Sequence, residues 1–131
     1  MVEQFTKKKV LVVDDDPLII RMYERKLRND GYDVRIAHSG EEVLTALHRD
    51  LPDIILLDIM MPVMNGVETL HVIKEDERTK HIPVIMLTNL GDRPEDMNKA
   101  RELGALDYLV KAETDLKFLT DRIDKALSTN I

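Results

Sequence analysis

The feature that most constrains the fold of this chain is an alternation of short apolar runs with helical patterns. Apolar runs at 10–13, 54–57 and 84–87 are rich in Val, Ile and Leu, which is typical of strands buried on both faces. Polar and apolar residues alternate at 33–37, which predicts an edge strand, and 106–110 predicts a fifth strand. Five strands that alternate with helices predict an α/β fold with βαβ units, a parallel sheet and helices on both of its faces.

Capping residues and apolar spacing predict the five helices that follow these strands. Asp16 is suited to be the N-cap of the first helix, with Pro17 at its first position. Ser39 and Glu42 have the spacing of a capping box at the start of the second helix. The side chains predicted to face the core are Ile19, Met22, Tyr23 and Leu27; Val43, Leu44 and Leu47; Val67, Leu70 and Ile73; Met97, Ala100 and Leu103; and Leu116, Leu119, Ile123 and Ala126.

Composition limits the classes of protein to which the chain can belong. The sequence has 131 residues, no Cys and a formal net charge of −6; without Cys, a disulfide frame and a cysteine zinc site are excluded. The negative charge argues against binding along a nucleic-acid backbone, and we find neither a secretory signal nor an apolar run of membrane-spanning length. We therefore expect a single cytoplasmic domain over 1–131, with a core at about 8–127, no output domain, and no direct binding to nucleic acid or membrane.

Charged and polar side chains follow four of the five predicted strands. Asp14 and Asp15 come after the first strand, Asp58 ends the third, Thr88 ends the fourth and Lys111 follows the fifth. Because the carboxyl ends of parallel strands lie at one edge of a sheet, these side chains are expected to converge. Two carboxylates about 4 Å apart repel by roughly 4 kcal/mol at an effective dielectric of about 20. Such a cluster needs a cation, and oxygen ligands with space for water suit Mg²⁺.

Four segments together resemble the receiver domain of two-component response regulators. They lie at 12–17, 58–66, 87–88 and 107–111, and the resemblance extends over about 8–127. It implies a flavodoxin-like, doubly wound (βα)5 domain with the strand order 2-1-3-4-5. It also implies a signalling domain rather than an enzyme, one that accepts a phosphoryl group from the phosphohistidine of a sensor histidine kinase or of a histidine phosphotransfer protein.

The resemblance assigns roles to the acids at the predicted sheet edge. Asp58 would be the phosphoacceptor, a carboxylate nucleophile that forms an acyl phosphate. Asp15 and Asp58 would be direct ligands of Mg²⁺, together with the backbone carbonyl of Met60. Asp14 would act on the metal through a coordinated water.

The resemblance also implies how the phosphoryl group is recognised and how the signal leaves the domain. Thr88 and Lys111 would contact the phosphoryl oxygens, and Tyr108 would be the switch aromatic, turning inward when Thr88 moves toward them. This change would alter the surface of the fourth helix, the fifth strand and the fifth helix. Output would be contact with a downstream protein target or onward transfer in a phosphorelay, and the resemblance also admits a phosphorylation-dependent dimer.

The sequence departs from the receiver pattern beside two of these residues. Ala112 follows Lys111 where the family usually has a proline with a cis peptide bond, which a non-proline residue adopts only at a cost of about 3 kcal/mol. We expect Lys111 still to reach the site, but from a less rigid loop. Asn89 stands after the hydroxyl residue, where the family commonly has a small side chain. Met60 and Leu90 are apolar and cannot orient an attacking water, which predicts slow self-dephosphorylation.

Three other functions are compatible with parts of this sequence. A Mg²⁺-dependent phosphohydrolase generally has a second acid two residues after its aspartate nucleophile, where this chain has Met60. A flavin-binding module would need a Ser-, Thr- or Gly-rich phosphate loop after the first strand, where Asp14, Asp15 and Asp16 would repel a phosphate. Ala112 leaves open a third function, a pure interaction domain that no longer accepts phosphate. Against it, all five core site residues are present, namely Asp14, Asp15, Asp58, Thr88 and Lys111.

Overall fold

The centre of the structure, a computed structural model that describes residues 7–89, 91–111 and 115–129, is a parallel sheet. Its strands are β1 (Lys9–Val13), β2 (Asp33–Ala37), β3 (Ile54–Asp58), β4 (Val84–Thr88) and β5 (Asp107–Val110). They lie in the order β2-β1-β3-β4-β5, which confirms the predicted doubly wound, flavodoxin-like topology.

Helices alternate with these strands and cover both faces of the sheet. They are α1 (Pro17–Asn29), α2 (Gly40–Arg49), α3 (Gly66–Glu75), α4 (Pro94–Glu102) and α5 (Leu116–Thr129). α1 and α5 pack on one face, whereas α2, α3 and α4 pack on the other. Among the described residues, no helix combines the length and the apolar composition needed to cross a bilayer.

Each face of the sheet carries its own hydrophobic core. Successive strand residues point to opposite faces, so Val10 and Ile54 pack with α1 and α5, whereas Leu11 and Ile55 pack with α2, α3 and α4. Every residue of β3 and β4 is buried, as their apolar runs predict. Burial of each such Leu or Ile side chain contributes about 2 kcal/mol. The last residue of β3, Asp58, is therefore held at the end of a rigid and solvent-free strand.

One predicted core position, Met22, was wrong, and β5 starts one residue later than predicted. The rotation of a helix against the sheet decides which of its apolar residues are buried. Met22 is 47% exposed, and the buried face of α1 is formed by Ile20, Tyr23 and Leu27. These three residues have the i, i+3, i+7 spacing of one helical stripe, which Met22 does not share. Leu106 is 55% exposed, and β5 begins at the residue that follows it.

Side-chain caps fix the starts of the first two helices. The Asp16 carboxylate accepts a hydrogen bond of 2.9 Å from the N–H of Leu18, which confirms Asp16 as the N-cap of α1. The capping box predicted at α2 is only half formed. The Ser39 hydroxyl accepts from the N–H of Glu42 at 3.1 Å, but the Glu42 carboxylate accepts from the N–H of His38, which precedes the cap.

Candidate functional site

Three carboxylates meet at the carboxyl edge of the sheet. β1 pairs with β3 in a register that places Val13 opposite Leu57, so the residues that follow, Asp14 and Asp58, are neighbours. Carboxylate oxygens of Asp14, Asp15 and Asp58 all lie within 4.8 Å of one another. Asp14 and Asp58 are buried, whereas Asp15 is exposed. The structure therefore brings together the acids that the sequence places after β1 and at the end of β3.

The Lys111 side chain enters this cluster from the end of β5. Its Nζ lies 2.9 Å from Asp14 Oδ2 and 3.3 Å from Asp58 Oδ1, and the side chain is only 8% exposed. The backbone N–H of Lys111 donates to the carbonyl of Thr88 at 2.8 Å, which continues the pairing of β4 with β5 by one residue. Lys111 thus reaches the site without a following proline. Ala112 lies outside the described residues.

The Asp58 carboxylate is buried beside a second acid, and its contacts only partly offset the cost of burying its charge. Its Oδ1 is contacted by Lys111 Nζ and accepts a weak hydrogen bond from the N–H of Met60 at 3.4 Å. Burial and the charge of Asp14 raise the pKa of Asp58 to about 7, although the Lys111 ammonium opposes this increase. Burial lowers the pKa of Lys111, but its contacts with Asp14 and Asp58 outweigh burial and raise it.

The donor set at this edge fits a hard divalent cation. Asp58 Oδ2 is buried and has no hydrogen-bond partner within the part of the chain that the structure describes, and a buried carboxylate oxygen without a partner is costly. Carboxylate oxygens of Asp14 and Asp15 lie within 4.8 Å of one from Asp58, which is close enough for the three acids to share one ion. Oxygen donors of this kind are those that Mg²⁺ selects. The role of the Met60 carbonyl as a further ligand stays a prediction.

An open cleft of about 450 Å³ gives access to the cluster. The residues that line it are Asp15, Asp16, Ile19, Asp58, Met60, Asn89 and Lys111. Sequence reasoning assigned Asp16 only to the helix cap and Ile19 only to the core. Because α1 starts directly after the acids, its first turn forms one wall of the cleft. Asn89 is exposed at the rim, where its N–H donates to Asp92 Oδ2 at 2.7 Å. Leu90 is not among the described residues.

The two predicted switch residues lie outside the carboxylate cluster. Thr88 is buried, and its hydroxyl donates to the carbonyl of Leu109 at 3.4 Å rather than to an acid. Tyr108 is half-buried on β5, and its hydroxyl accepts a hydrogen bond from Arg101 of α4. The Arg101 guanidinium also lies 5.3 Å from the Tyr108 ring centroid. Thr88 thus connects β4 to β5, and Tyr108 connects β5 to α4. The switching role of these two residues stays a prediction.

Comparison with known proteins gives the family of this chain. Residues 10–124 match the family model of the response regulator receiver domain. Response regulator PleD of Caulobacter vibrioides is 44% identical over 108 residues, which are 82% of this chain and 24% of PleD. A protein of Guillardia theta named a probable transcriptional regulator, ycf27, is 45% identical over 106 residues, 81% of this chain and 40% of that protein. A response regulator structure from Chloroflexus aurantiacus superposes with a TM-score of 0.87 at 35% identity, covering 94% of this chain and 99% of that one.

The chain belongs to the response regulator receiver family. Receiver domains are signalling domains of two-component systems that interact with histidine kinases and downstream targets, and they are not classical enzymes. This membership favours the receiver prediction over the phosphohydrolase and flavin-binding alternatives. The chain spans well under half the length of PleD and of the Guillardia theta protein. The absence of an output domain therefore stays a prediction.

Proposed function

We propose that this chain accepts a phosphoryl group on Asp58 from the phosphohistidine of a sensor histidine kinase or of a histidine phosphotransfer protein. The observation that carries the proposal is the buried Asp58 carboxylate at the cleft, with one oxygen that has no partner in the described residues. A carboxylate oxygen of Asp58 attacks phosphorus, and the P–N bond to the donor imidazole breaks. The imidazole, which carries a proton on its other nitrogen, leaves as the neutral base.

The groups around Asp58 stabilise the charge of this transfer. The Lys111 ammonium, now shared by Asp14 and Asp58, turns to the phosphoryl oxygens and offsets their charge. Asp15 and Asp58 would hold Mg²⁺ together with the Met60 carbonyl, and Asp14 would hold a water of that ion. The bound ion would neutralise negative charge on the transferring phosphoryl group.

Thr88 and Tyr108 couple the phosphorylation of Asp58 to the surface of the domain. The Thr88 hydroxyl leaves the carbonyl of Leu109 for a phosphoryl oxygen, and Tyr108 leaves Arg101 and turns inward. The surface of α4, β5 and α5 then differs between the two states of Asp58. We place the output of the domain on this surface, as contact with a downstream protein, onward transfer in a phosphorelay or a phosphorylation-dependent dimer.

The test is incubation of the protein with Mg²⁺ and acetyl phosphate, followed by intact-mass measurement. We expect wild type and the exposed-acid control Asp121→Asn to gain the mass of one phosphoryl group, and Asp58→Asn to gain none. Addition of EDTA is expected to abolish the gain. A gain that persists in Asp58→Asn contradicts the assignment of the acceptor. If wild type gains no mass with acetyl phosphate or with a phosphorylated histidine phosphotransfer domain, the result would favour the alternative function, an interaction domain that no longer accepts phosphate.

A further inference from the structure

The Arg101 side chain joins the last turn of α4 to the Tyr108 side chain on β5. Its guanidinium donates a hydrogen bond to the Tyr108 hydroxyl, and the guanidinium carbon lies 5.3 Å from the centre of the Tyr108 ring. Arg101 Nη1 also donates a long hydrogen bond of 3.5 Å to Asn98 Oδ1, one turn earlier in the same helix. The guanidinium is therefore held from α4 and contacts both the hydroxyl and the ring of Tyr108.

The pairing of β4 with β5 places Tyr108 on the same face of the sheet as Thr88. Met86 pairs with Tyr108, and Thr88 pairs with Val110. Because successive residues of a strand point to opposite faces, the side chains of Thr88 and Tyr108 lie diagonally to each other on neighbouring strands. The hydroxyl of Tyr108 nevertheless bonds Arg101, which is exposed. The polar end of Tyr108 is thus directed to the surface of α4.

The contacts with Arg101 favour this surface position of Tyr108 over an inward one. An inward turn of the ring breaks both the hydrogen bond and the contact between the guanidinium and the ring. Together, two such contacts at an exposed site shift an equilibrium between two side-chain positions by about threefold to tenfold. Replacement of Arg101 removes this preference and leaves the groups at the carboxyl edge of the sheet unchanged.

We propose that Arg101 is a positioning residue that holds Tyr108 at the surface of α4 and thereby limits how readily the unphosphorylated domain accepts a phosphoryl group. This inference rests on the proposed function, in which Thr88 moves to the phosphoryl oxygens and Tyr108 turns inward. A domain in which only a minor fraction is competent reacts in proportion to that fraction, and Arg101 lowers the fraction. Arg101 acts through Tyr108 and does not touch the phosphoryl group.

The first test measures the rate of phosphorylation by acetyl phosphate and Mg²⁺ from the intact mass. We expect Arg101→Met to react about threefold to tenfold faster than wild type, whereas the loss of a residue that only stabilised α4 would not accelerate the reaction. The matched control is Lys99→Met, which removes a positive charge from the same last turn of α4, and its rate should equal that of wild type. In the Tyr108→Ala background there is no ring to hold, so Arg101→Met should change nothing further. Equal rates for Arg101→Met and wild type, or the same acceleration in both backgrounds, overturn the proposal.

The second test needs no phosphoryl donor and so separates this inference from the proposed function. The chain has three tyrosines, so NMR of the protein with ¹³C-labelled tyrosine rings gives few signals, and Tyr108→Phe identifies that of Tyr108. In EDTA, we expect the nuclear Overhauser effect between the Tyr108 ring and the Thr88 methyl group to be about threefold to tenfold stronger in Arg101→Met than in wild type or Lys99→Met.

The two tests together show which proposal fails. An unchanged Overhauser effect in Arg101→Met refutes the positioning role, even if Asp58 accepts phosphate. A stronger effect in a protein that gains no phosphoryl mass supports the hold of Arg101 on Tyr108 and refutes the proposed function instead.

Discussion

Gly66 offers the sharpest test of how the backbone around Asp58 is built. It is the first residue of α3, and its N–H donates to the carbonyl of Ile59 at 2.7 Å. A Cβ atom at Gly66 would lie 2.0 Å from the Asp58 carbonyl oxygen, and 2.8 Å from both the Asp58 carbonyl carbon and Ile59 Cα. All three are backbone atoms at the end of a buried strand, so none can rotate aside. We therefore predict that Gly66→Ala forces the start of α3 away from β3.

The geometry sets the size of the effect. Carbon and carbonyl oxygen approach no closer than about 3.3 Å in ordinary contacts, so the backbone must move by more than about 1 Å. Overpacking of a buried site costs about 1–3 kcal/mol, and a clash with backbone belongs at the upper end. We expect Gly66→Ala to lower the free energy of unfolding by about 3 kcal/mol and the Tm by roughly 10 °C. The shift moves the acceptor itself, so phosphorylation should slow by about 100-fold.

Two other glycines provide matched controls. A Cβ at Gly40 would meet the Thr69 hydroxyl at 2.5 Å and the Met64 side chain at 2.8 Å. These side chains can adjust, so Gly40→Ala should cost about 1–2 kcal/mol. A Cβ at Gly91 meets nothing within 4 Å, and Gly91→Ala should be neutral or stabilising by about 0.5 kcal/mol.

Urea unfolding followed by far-UV circular dichroism measures the free energy of unfolding of all three variants. The predicted order of destabilisation is Gly66→Ala, then Gly40→Ala, then Gly91→Ala. If Gly66→Ala unfolds at the same urea concentration as Gly91→Ala, the close approach of α3 to Asp58 is wrong. If Gly40→Ala is the most destabilised, the assumed difference between backbone and side-chain neighbours fails.

Three further predictions concern the same edge of the sheet. Burial and the charge of Asp14 raise the pKa of Asp58 to about 7, so the folded state binds its proton more tightly than the unfolded chain. In EDTA, the wild-type free energy of unfolding should therefore fall by up to about 4 kcal/mol from about pH 4 to pH 8. Asp58→Asn should remove most of this fall. A wild-type free energy of unfolding that does not change with pH in urea titrations would contradict the raised pKa of Asp58. Val63 is 90% exposed with a φ of 70°, which strains a β-branched residue. Val63→Gly should raise the free energy of unfolding by about 0.5–1 kcal/mol, and a loss of stability would refute the strain. Met60 lines the cleft and is 49% exposed, so an amide in its place could orient an attacking water. Met60→Asn should therefore shorten the lifetime of the phosphoaspartate, measured as loss of the phosphoryl mass; an unchanged lifetime would show that the apolar side chain at this position is not what slows dephosphorylation.

The sheet could be predicted from sequence because its central strands are apolar on both faces. A run such as 54–57 has no polar side to expose, so only a position inside a covered sheet is compatible with it. The buried face of α1 could not be predicted to the residue. Both Ile20 and Met22 are apolar and lie within one turn, and their burial depends on how the helix is rotated against β1 and β3. That rotation is a property of tertiary packing, which local spacing does not contain.

The site was predictable to the extent that strand ends determine it. Asp14, Asp58 and Lys111 converge because each follows or ends a strand of one parallel sheet, and their contacts confirm that convergence. Side-chain direction was not predictable in the same way. The Thr88 hydroxyl points to a carbonyl of β5, and the Tyr23 hydroxyl is buried in the core without a hydrogen-bond partner among the described residues. In the sequence, the only signal for Tyr23 is a polar atom on a helical stripe that is otherwise aliphatic.

The residues of this domain under the tightest structural constraints are concentrated where the proposed chemistry takes place. Asp58 is a buried acid beside a second buried acid, Gly66 allows a backbone contact that no other residue permits, and Val63 has a positive φ. All three lie between the end of β3 and the start of α3. Packing alone would be served better by an amide at Asp58 and a glycine at Val63. An acceptor that must remain a reactive carboxylate cannot make the first of these changes, so Asp58→Asn should raise metal-free stability while it abolishes phosphorylation. In an interaction domain that no longer accepts phosphate, the same substitution would raise stability with no phosphorylation to lose, and measuring both quantities on one pair of proteins distinguishes the two functions.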